Sequence, residues 1–423
     1  CNVAPTVCVG KNYVDVANFD KVKKTIDEKN FDPFIPDYIN LSSYKKNGGY
    51  EIANKIKNGV ISKKQVLDSL NESGLKGKGG AGFPTGKKWE IVSNYNGKKY
   101  VAVNGDEGEP GTFKDRSYLE SDPHRFLEGA LIASYFINAQ KVYIYMRDEY
   151  PTVIKILLDE INKMEDEEII PKDFFIVRRG AGAYICGEES AMIESIEGKR
   201  GLPRHRPPYV AEIGLFGCPT LTNNLETLFW VRDIIEKGAK WFAEKGSNGN
   251  KGFHSFSVSG RVKNPGVKVA PAGITIQQLI DEYCDGMADG HTFKGYLPGG
   301  ASGGILPATM NDIPLDYGSK ELMDAGCFLG SAAVVVLSDH DNMKDVALNL
   351  LKFFEEESCG QCTPCRSGTE KTVKLMQEKN WNKEKLKDLS EVMAQASICG
   401  LGQAATNPLN SVLKYFSNEI TYD

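Results

Sequence analysis

Four cysteines near the carboxyl terminus constrain this chain more than any other feature. Three are spaced Cys-x-x-Cys-x-x-Cys, and the fourth stands alone further along the chain. Three thiolates at this spacing can surround one corner of an inorganic core, and a fourth from a distant loop can close the site. The pattern favours a [4Fe–4S] cluster; a zinc site, which usually takes two Cys-x-x-Cys pairs, and disulfide-bonded or inert thiols are the alternatives. The four, hereafter the cluster cysteines, are Cys359, Cys362, Cys365 and Cys399.

Composition limits what such a cluster could serve. The 423 residues are 41% hydrophobic and 25% charged, so the chain can bury a large core and should form about two to four domains. A formal net charge of -5 gives no basic surface for nucleic acid, and no apolar run approaches the roughly 18 residues of a membrane span. Ten cysteines are too sparse for a disulfide scaffold, and no signal peptide is evident. We therefore predict a cytoplasmic protein with neither nucleic-acid binding nor direct membrane insertion.

The spacing of apolar residues predicts an α/β domain followed by two smaller regions. Short apolar strands at 100–103, 141–146 and 174–178 alternate with helical stretches, a pattern typical of a mostly parallel sheet. From Phe253 the sequence becomes rich in strands and glycine, with one amphipathic helix at 275–283, which predicts a small α+β domain. Beyond Met343, four helical segments interrupted by the cysteine loops predict a helical bundle that holds the cluster. A short extended run and a helix at 19–27 precede these regions.

A glycine-rich loop at residues 77–86 is a candidate ligand site. It satisfies Gly-x-Gly-x-x-Gly, but it follows a helical stretch instead of a strand, so the usual dinucleotide-binding context is missing. Bare backbone amides near Lys78, Lys87 and Lys88, ahead of a predicted helix at 88–92, suit a phosphate group. A flexible surface loop is the alternative. We favour ligand binding, because five glycines in ten residues are costly in entropy unless something approaches the backbone closely.

Four further loops carry polar side chains. Segments 104–111 and 179–189 each follow a predicted strand, where ligands gather in open α/β sheets. A solvated acidic turn is the alternative for the first, and capping of a helix by Glu188 and Glu189 is the alternative for the second. Segments 204–209 and 223–227 add basic, aromatic and amide groups. The five histidines lie singly in the sequence, so they predict neither a metal pair nor hydrolytic catalysis.

Together these loops resemble the flavin subunit of respiratory complex I and its soluble relatives. The resemblance covers residues 55–423 and is carried by Gly-Lys-Gly-Gly-Ala-Gly-Phe-Pro-Thr-Gly-Lys-Lys-Trp, Asn-Gly-Asp-Glu-Gly-Glu-Pro-Gly-Thr-Phe-Lys-Asp-Arg, Gly-Ala-Gly-Ala-Tyr-Ile-Cys-Gly-Glu-Glu and Ser-Cys-Gly-Gln-Cys-Thr-Pro-Cys-Arg-Ser-Gly-Thr. The soluble relatives include flavin subunits of NAD-linked formate dehydrogenases and of electron-bifurcating iron hydrogenases. The resemblance implies FMN, NAD(H) and a [4Fe–4S] cluster as cofactors, and a β-grasp fold for the α+β domain.

The resemblance also assigns residues to these cofactors. Glu109 and Glu189 are expected to position the nicotinamide and ribose, with Phe83 and Tyr209 stacking on the adenine side. Arg206 replaces a frequent lysine and Tyr209 a frequent phenylalanine, so the choice between NAD and NADP stays open. The cluster cysteines match the [4Fe–4S] ligands. Positions that match FMN contacts are Gly77, Gly79, Lys88, Asn104, Asp106, Tyr184, Gly187, Glu188, Asn223, Asn224 and Thr227. Positions that match nicotinamide-dinucleotide contacts are Phe83, Glu109, Glu189, Arg206 and Tyr209.

The amino-terminal residues are similar to the end of a thioredoxin-like [2Fe–2S] domain, of which Cys1 would be the fourth ligand. The other three ligands are absent, and the missing initiator Met suggests that the sequence starts partway through a longer product. That domain is commonly fused to the flavin domain in the hydrogenase and formate dehydrogenase relatives, whereas complex I has it as a separate chain. The predicted domains are 1–35, the end of the [2Fe–2S] domain; 36–248, the FMN- and NAD(H)-binding α/β domain; 249–338, the β-grasp domain; and 339–423, the helical bundle with the [4Fe–4S] cluster.

The resemblance implies a diaphorase subunit that exchanges hydride with NAD(H) at FMN and passes single electrons through iron–sulfur clusters, with no side chain acting as acid or base. Expected partners are a hydrogenase or dehydrogenase catalytic subunit and a small iron–sulfur subunit, with ferredoxin as a further candidate. A soluble, electron-bifurcating hydrogenase complex is favoured. The alternatives are the diaphorase subunit of an NAD-dependent formate dehydrogenase, the flavin-carrying chain of complex I and a non-enzymatic iron–sulfur scaffold.

Overall fold

The amino-terminal residues form a hairpin followed by a helix. In the computed structural model, which describes residues 2–422, β1 (Val7–Val9) pairs antiparallel with β2 (Asn12–Val14), and α1 (Phe19–Asp27) follows. Asn18 ends the extended segment and starts the helix, because its side chain accepts a hydrogen bond from the Lys21 amide at 2.9 Å. The helix has the predicted bounds. Cys1, the predicted [2Fe–2S] ligand, lies outside the described residues.

Four parallel strands form the first sheet, in the order β5-β4-β3-β6. Val101 and Val103 of β3 face one hydrophobic core, and Ala102 between them faces a second, as the alternation of side chains along a strand requires. Because both faces are covered, the central strands β3 and β4 are largely apolar. The predicted parallel sheet is confirmed. Its strands are β3 (Tyr100–Gly105), β4 (Lys141–Arg147), β5 (Phe175–Gly180) and β6 (Thr220–Asn224).

Helices cover both faces of this sheet. The first core contains residues of α3, α4, α5, α7, α8 and α10, whereas α9 packs in the second core together with the carboxyl-terminal helices. The helices in this part of the chain are α2 (Leu41–Lys46), α3 (Glu51–Lys57), α4 (Lys63–Ser73), α5 (Thr85–Ser93), α6 (Lys114–Ser121), α7 (Pro123–Ile137), α8 (Pro151–Asp166), α9 (Glu189–Ile196), α10 (Leu225–Lys237) and α11 (Ala239–Ala243).

A second sheet of five strands follows, in the order β10-β9-β11-β7-β8. Strand β11 is parallel to β7, and the remaining pairs are antiparallel, which confirms the α+β class. The predicted helix at 275–283 has three α-helical residues, α12 (Ile276–Gln278), and continues as a π-helical turn over Leu279–Tyr283. The other elements are β7 (Phe253–Gly260), β8 (Gly266–Pro271), β9 (Phe293–Leu297), β10 (Leu306–Pro307), α13 (Lys320–Asp324) and β11 (Ala333–Ser338).

The carboxyl-terminal region is helical, as predicted, and packs on the second core beside α9. Up to residue 422 it has five helices where four were predicted, because one is too short to show a periodic pattern. None of the helices in residues 2–422 combines the length and apolar character needed to cross a bilayer. The five are α14 (Met343–Glu356), α15 (Thr363–Gln377), α16 (Lys383–Ala396), α17 (Gly400–Ala404) and α18 (Asn407–Tyr415).

Candidate functional site

A cavity in two adjoining parts lies at the carboxyl edge of the parallel sheet, where the loops after β3 and β5 meet the glycine-rich loop. The larger part has a volume of about 550 Å³ and the smaller part about 270 Å³. Asn104, Gly187, Glu188 and Asn224 border both parts. The site therefore forms where an open parallel sheet is expected to bind ligands.

The structure brings most of the predicted cofactor residues to this cavity. Ten predicted FMN positions line it: Gly77, Gly79, Lys88, Asn104, Asp106, Tyr184, Gly187, Glu188, Asn223 and Asn224. Four predicted nicotinamide-dinucleotide positions also line it: Phe83, Glu109, Glu189 and Arg206. Thr227 is fully buried and accepts a hydrogen bond from the Lys78 amide at 2.8 Å, so it supports the glycine-rich loop from beneath. Tyr209 does not border the cavity and is 58% exposed. Which cofactor each residue contacts stays a prediction.

Close packing explains part of the glycine content of the loop. Gly82 has a φ of +63°, and a Cβ there would lie 2.4 Å from the Cβ of Tyr317. A Cβ on Gly79 would lie 3.1 Å from the Cβ of Asn224. The glycines therefore let the loop lie against the second sheet and the end of β6, in addition to leaving backbone amides bare toward the cavity.

The ammonium group of Lys78 points away from its predicted role beside a phosphate. It donates to the carbonyl oxygen of Phe253 at 2.6 Å and lies 2.7 Å from Nδ1 of His254. The other ring nitrogen of His254 lies 2.6 Å from Asp316, which also pairs with Lys76 at 2.7 Å. Burial lowers the pKa of Lys78 to about 8 and that of His254 to about 4. This chain of contacts anchors the glycine-rich loop to the second sheet.

The loop after β3 presents an acceptor without a partner to the cavity. The Oδ2 atom of Asp106 is buried and has no hydrogen-bond partner among residues 2–422, and burial raises the pKa of this carboxyl group to about 7. An unpaired buried acceptor is costly, so the position suits a ligand that donates a hydrogen bond. Glu107, by contrast, accepts hydrogen bonds from the amides of Asp115 and Arg116 at 2.7 and 3.0 Å. Glu107 therefore holds the start of α6 in place.

A buried ion-pair network borders the cavity. The Lys114 ammonium is fully buried and lies 3.0 Å from Asp115 and 2.9 Å from Glu226. Although burial opposes it, the negative charge of Asp115 and Glu226 raises the pKa of Lys114. Asn224 donates to the other oxygen of Asp115 at 2.6 Å. The network fixes Asn224, a predicted FMN residue, and places a permanent positive charge at the cavity wall.

Two predicted nicotinamide residues are held by the protein on different sides of the cavity. Glu109 accepts hydrogen bonds from the amide and hydroxyl of Ser302 at 2.9 and 2.5 Å, and burial raises its pKa. Glu189 pairs with Lys88 at 2.8 Å and accepts from the Thr222 hydroxyl. Although burial opposes it, Lys88 lowers the pKa of Glu189. The Glu109 carboxyl group is therefore held by a serine hydroxyl group, and the Glu189 carboxylate is held by the Lys88 ammonium group.

Glu188 has a structural role in addition to its predicted FMN contact. Its Oε2 atom accepts from the amides of Ser190 and Ala191, both at 3.0 Å, which caps α9. Its other oxygen pairs with Arg206. The capping alternative that the sequence left open is therefore met at Glu188, whereas Glu189 is fixed by Lys88.

The cavity is connected to the cysteine region through Tyr184. The Tyr184 amide donates to Glu357 at 2.9 Å, and the ring packs 5.1 Å from that of Phe353. Glu357 lies two residues before Cys359. The cavity wall itself includes Gly400 and Leu401, which directly follow Cys399. One wall of the cavity is thus built from the loops that carry the cluster cysteines.

Three of the cluster cysteines lie at the N-terminal ends of helices. Cys362 is the N-terminal cap residue of α15, Cys365 lies in its first turn, and Cys399 is the N-terminal cap residue of α17. Gly402 allows this approach, because a Cβ there would lie 2.8 Å from the Cβ of Cys365. The Ser358 hydroxyl lies 3.3 Å from the Cys365 sulfur. All four cysteines are free of disulfide bonds.

The spread of the four sulfurs distinguishes between the metal alternatives. Within the described part of the chain, the cluster cysteines do not form a group with three sulfurs inside 4.8 Å of one another. A single zinc ion holds each thiolate at about 2.3 Å, which places its ligands within about 4 Å of one another. An iron–sulfur core needs the wider spread, because each cysteine binds a different iron atom. The spacing of these sulfurs is therefore compatible with a four-iron cluster.

Several cavity residues had not been identified from the sequence. They include Lys114, Asp115, Ser302, Ser331, Gln403 and Asn407. Lys114 and Asp115 are part of the quoted Gly-Thr-Phe-Lys-Asp-Arg motif, so the sequence indicated that they lie near the site. The others come from the second sheet and the carboxyl-terminal helices, and no local pattern marks them. Their position depends on long-range packing.

Comparisons with known proteins agree with this geometry. The Nuo51 FMN-binding domain matches residues 70–233, and the NADH-ubiquinone oxidoreductase-F iron–sulfur binding region matches residues 345–423. An NADH-quinone oxidoreductase subunit of the F type from Rhizobium meliloti is 40% identical over 400 residues, covering 91% of this chain and 94% of that protein. This chain belongs to the family of F-type NADH-quinone oxidoreductase subunits. The Aquifex aeolicus member of this family is 39% identical over 400 residues, with 91% of both chains covered.

A solved structure shows the same fold. The NAD+-reducing [NiFe]-hydrogenase in its H2-reduced state contains a chain that matches with a TM-score of 0.86 and 29% identity, covering 99% of this chain and 76% of that chain. The resemblance to the flavin subunits of complex I is therefore confirmed. FMN and a [4Fe–4S] cluster are the cofactors of this family member, and NADH is its substrate. The orphaned Asp106 acceptor and the spread of the cluster cysteines fit these two groups.

Proposed function

We propose that this NADH-quinone oxidoreductase homologue takes hydride from NADH at an FMN held in the cavity and passes electrons one at a time to partner subunits. The observation that carries the proposal is the shared wall. Gly400 and Leu401 border the cavity and directly follow Cys399, so the flavin site adjoins the cluster site. FMN supplies the needed chemistry when bound, because a flavin accepts two electrons together and releases them singly.

The chain's own residues bind and orient the reactants. Asp106 accepts a hydrogen bond from a flavin hydroxyl, and Lys88, paired with Glu189, borders the smaller part of the cavity. Glu109 and Glu189 orient the nicotinamide and ribose of NADH. Phe83 and Arg206 border the cavity and offer contacts to the adenine side of the dinucleotide, and Tyr209 would reach only a part of the dinucleotide that extends beyond the cavity. Hydride transfer between a nicotinamide and a flavin needs no side chain as acid or base, so the proposal assigns that role to none.

The cluster cysteines would hold the [4Fe–4S] cluster through Cys359, Cys362 and Cys365 on one side and Cys399 on the other. The Ser358 hydroxyl, 3.3 Å from the Cys365 sulfur, and the backbone amides of Leu401 and Gly402, which face the Cys399 sulfur, would tune its potential. Hydrogen bonds to cluster sulfurs are a known determinant of reduction potential. The domain division at 36–248, 249–338 and 339–423 assigns the flavin, β-grasp and cluster regions.

The working complex that we favour is a hydrogenase, with a hydrogen-activating catalytic subunit and a small iron–sulfur subunit as partners. Support comes from the match to the NAD+-reducing hydrogenase chain, which covers 99% of this chain. The proposal keeps residues 1–35 as the end of a [2Fe–2S] domain, with Cys1 as its fourth ligand. Electron bifurcation to ferredoxin and a cytoplasmic location belong to the same proposal. The alternatives are a formate dehydrogenase diaphorase and the flavin subunit of complex I, and the 39–40% identity to NADH-quinone oxidoreductase subunits supports the latter.

Purification with native partners tests the assignment. The expected complex carries FMN whose absorbance is bleached by NADH, together with a hydrogen-activating subunit. A molybdenum- or tungsten-containing subunit would support the formate dehydrogenase alternative, and a complex without flavin would support the iron–sulfur scaffold. Bifurcation predicts that the complex reduces NAD+ only in concert with ferredoxin; NAD+ reduction independent of ferredoxin would refute it.

A further inference from the structure

Two histidines that are far apart in the sequence meet at one end of the second sheet, outside the flavin cavity. His291 precedes β9, and His340 follows β11. Because β9 and β11 are antiparallel neighbours, with Phe293 opposite Ser338, the start of one strand lies beside the end of the other. The sequence had shown only single histidines and predicted no metal pair. The sheet register brings the two imidazole rings together.

A carboxylate completes the group. His291, Asp339 and His340 each offer one ligand atom, and the three atoms lie within 4.8 Å of one another. The two imidazole rings are 4.6 Å apart between centroids and inclined at 58°, so they do not stack face to face. Ligands of a tetrahedral zinc ion are about 3.4 Å apart when the metal–nitrogen bonds are about 2.0–2.1 Å. Small rotations of Asp339 and His340, which are exposed, close this difference.

Neighbouring groups fix His291 in the form that binds a metal. Nδ1 of His291 lies 2.9 Å from the Ser338 hydroxyl oxygen. The single proton of that hydroxyl is directed to an oxygen of Asp341 that lies 3.3 Å away and also accepts a hydrogen bond from Arg261 at 3.1 Å. The Ser338 hydroxyl oxygen therefore accepts a hydrogen bond from the Nδ1–H group of His291. That tautomer leaves Nε2 with a free lone pair, which is the arrangement of metal-binding histidines.

The carboxylate is held in place by the same sheet edge. Thr292 N donates to Asp339 at 2.9 Å, and Asp339 N donates to the Thr292 carbonyl oxygen at 3.0 Å. One carboxylate oxygen of Asp339 is occupied by this contact, and the other remains for a cation. The nearby positive charge of Arg261 is neutralised by Asp341, with contacts of 2.8 and 3.1 Å. The local charge therefore favours a cation at Asp339.

We propose that His291, Asp339 and His340 bind one Zn²⁺ ion. Two imidazoles and one carboxylate are a donor set that divalent zinc accepts with a fourth position left for water. A hard cation such as Mg²⁺ or Ca²⁺ is disfavoured, because these ions take oxygen ligands. The ion would join the segment before β9 to the turn that leads from β11 into α14. It is independent of the flavin chemistry and of the cluster cysteines.

Zinc binding to the holoprotein, with flavin and cluster in place, tests the proposal. After equilibration with micromolar Zn²⁺ and gel filtration, mass spectrometry should find one zinc per chain, and X-ray absorption at the zinc edge should show nitrogen and oxygen ligands only. His340→Ala, Asp339→Asn and His291→Ala should each lose the bound zinc. Ser338→Ala should weaken binding about 10- to 100-fold, because it releases the His291 ring. His205→Ala, which removes an exposed histidine elsewhere, should keep the full equivalent.

Three results would overturn the proposal. The first is zinc content that is unchanged in His340→Ala and Asp339→Asn. The second is sulfur ligation at about 2.3 Å, which would place the metal on cysteines. Flavin absorbance of each variant shows that it is folded, so a loss of zinc with the flavin retained identifies the site itself. A wild-type protein that retains no zinc would also refute the site.

Discussion

Replacing Asp106 by asparagine should have opposite effects on the flavin-free and flavin-bound protein. Burial raises the pKa of Asp106 from 3.8 to about 7, so the folded state binds more protons than the unfolded state between these pH values. The stability of the flavin-free protein must therefore fall as the pH rises from about 4 to about 7. At about 1.4 kcal/mol per pKa unit, the ionised carboxylate costs about 4 kcal/mol at pH 8. Asparagine has the same shape and carries no charge, so Asp106→Asn should recover most of this stability.

With flavin bound, the same change should be harmful. A flavin hydroxyl that donates to the Asp106 carboxylate satisfies the orphaned Oδ2 atom, and hydrogen bonds to charged groups contribute about 1.5–3 kcal/mol. Loss of this contact should weaken FMN binding about 10- to 150-fold. FMN release can be followed by flavin fluorescence, and stability by the urea midpoint of flavin-depleted protein at pH 5 and pH 8. Asp32→Asn, at an exposed aspartate, is the control for both assays.

Each half of this prediction has its own refutation. If Asp106→Asn binds FMN as tightly as the wild-type protein, Asp106 does not face the flavin. The flavin-free variant should gain more stability over the wild-type protein at pH 8 than at pH 5. If it does not, the carboxylate is not buried as the structure shows. Flavin affinity is measured separately from stability, so the FMN-binding result can be interpreted whatever the stability assay shows.

Three further substitutions test the buried contacts of His254 and of Lys114 and the segment that follows Cys399. Burial lowers the pKa of His254 from 6.5 to about 4. The free energy of unfolding should therefore be highest above pH 6.5 and decrease by about 3 kcal/mol as the pH falls to about 4. The urea midpoint of His254→Gln should depend less on pH over this range. Lys114→Met should lower the free energy of unfolding by about 3–5 kcal/mol, because it leaves Glu226 buried without its partner. Lys87→Met, at the surface, is the control, and equal urea midpoints for the two variants would contradict this prediction. Gly402→Ala should reduce iron content with FMN retained, because its Cβ would meet Cys365 at 2.8 Å; full iron by chemical analysis would show that the loop can adjust.

Much of the fold could be predicted because local patterns determine it. Helix α1 has the predicted bounds, since Asn18 caps it and its apolar residues recur with helical spacing. Strands β3 and β4 are apolar runs that only a buried parallel strand explains. The predicted helix at 275–283 was only partly right, because a π-helical turn depends on packing around it. The five residues of α17 were too few to give a period.

The loops of the site could be predicted from the sequence, whereas the buried residues that hold these loops in place could not. Asp106 and Tyr184 belong to motifs that follow strands, so their meeting at the sheet edge could be expected. Lys114 depends on Glu226, which is far along the chain, and no local pattern shows that a lysine will be buried. Tyr209 was placed by its motif, yet its loop carries it outside the cavity. His291 and His340 meet only through the register of β9 and β11, which the sequence does not reveal.

Electrons from NADH should pass from the flavin cavity to the cluster held by the cluster cysteines. Electron paramagnetic resonance of protein reduced by NADH, recorded together with flavin absorbance for the wild type and Cys362→Ala, tests this transfer. We expect a reduced-cluster signal in the wild type, and in the variant a flavin that is still bleached but no cluster signal and no transfer to partner subunits. A cluster signal or intact electron delivery in Cys362→Ala would refute the role of these cysteines.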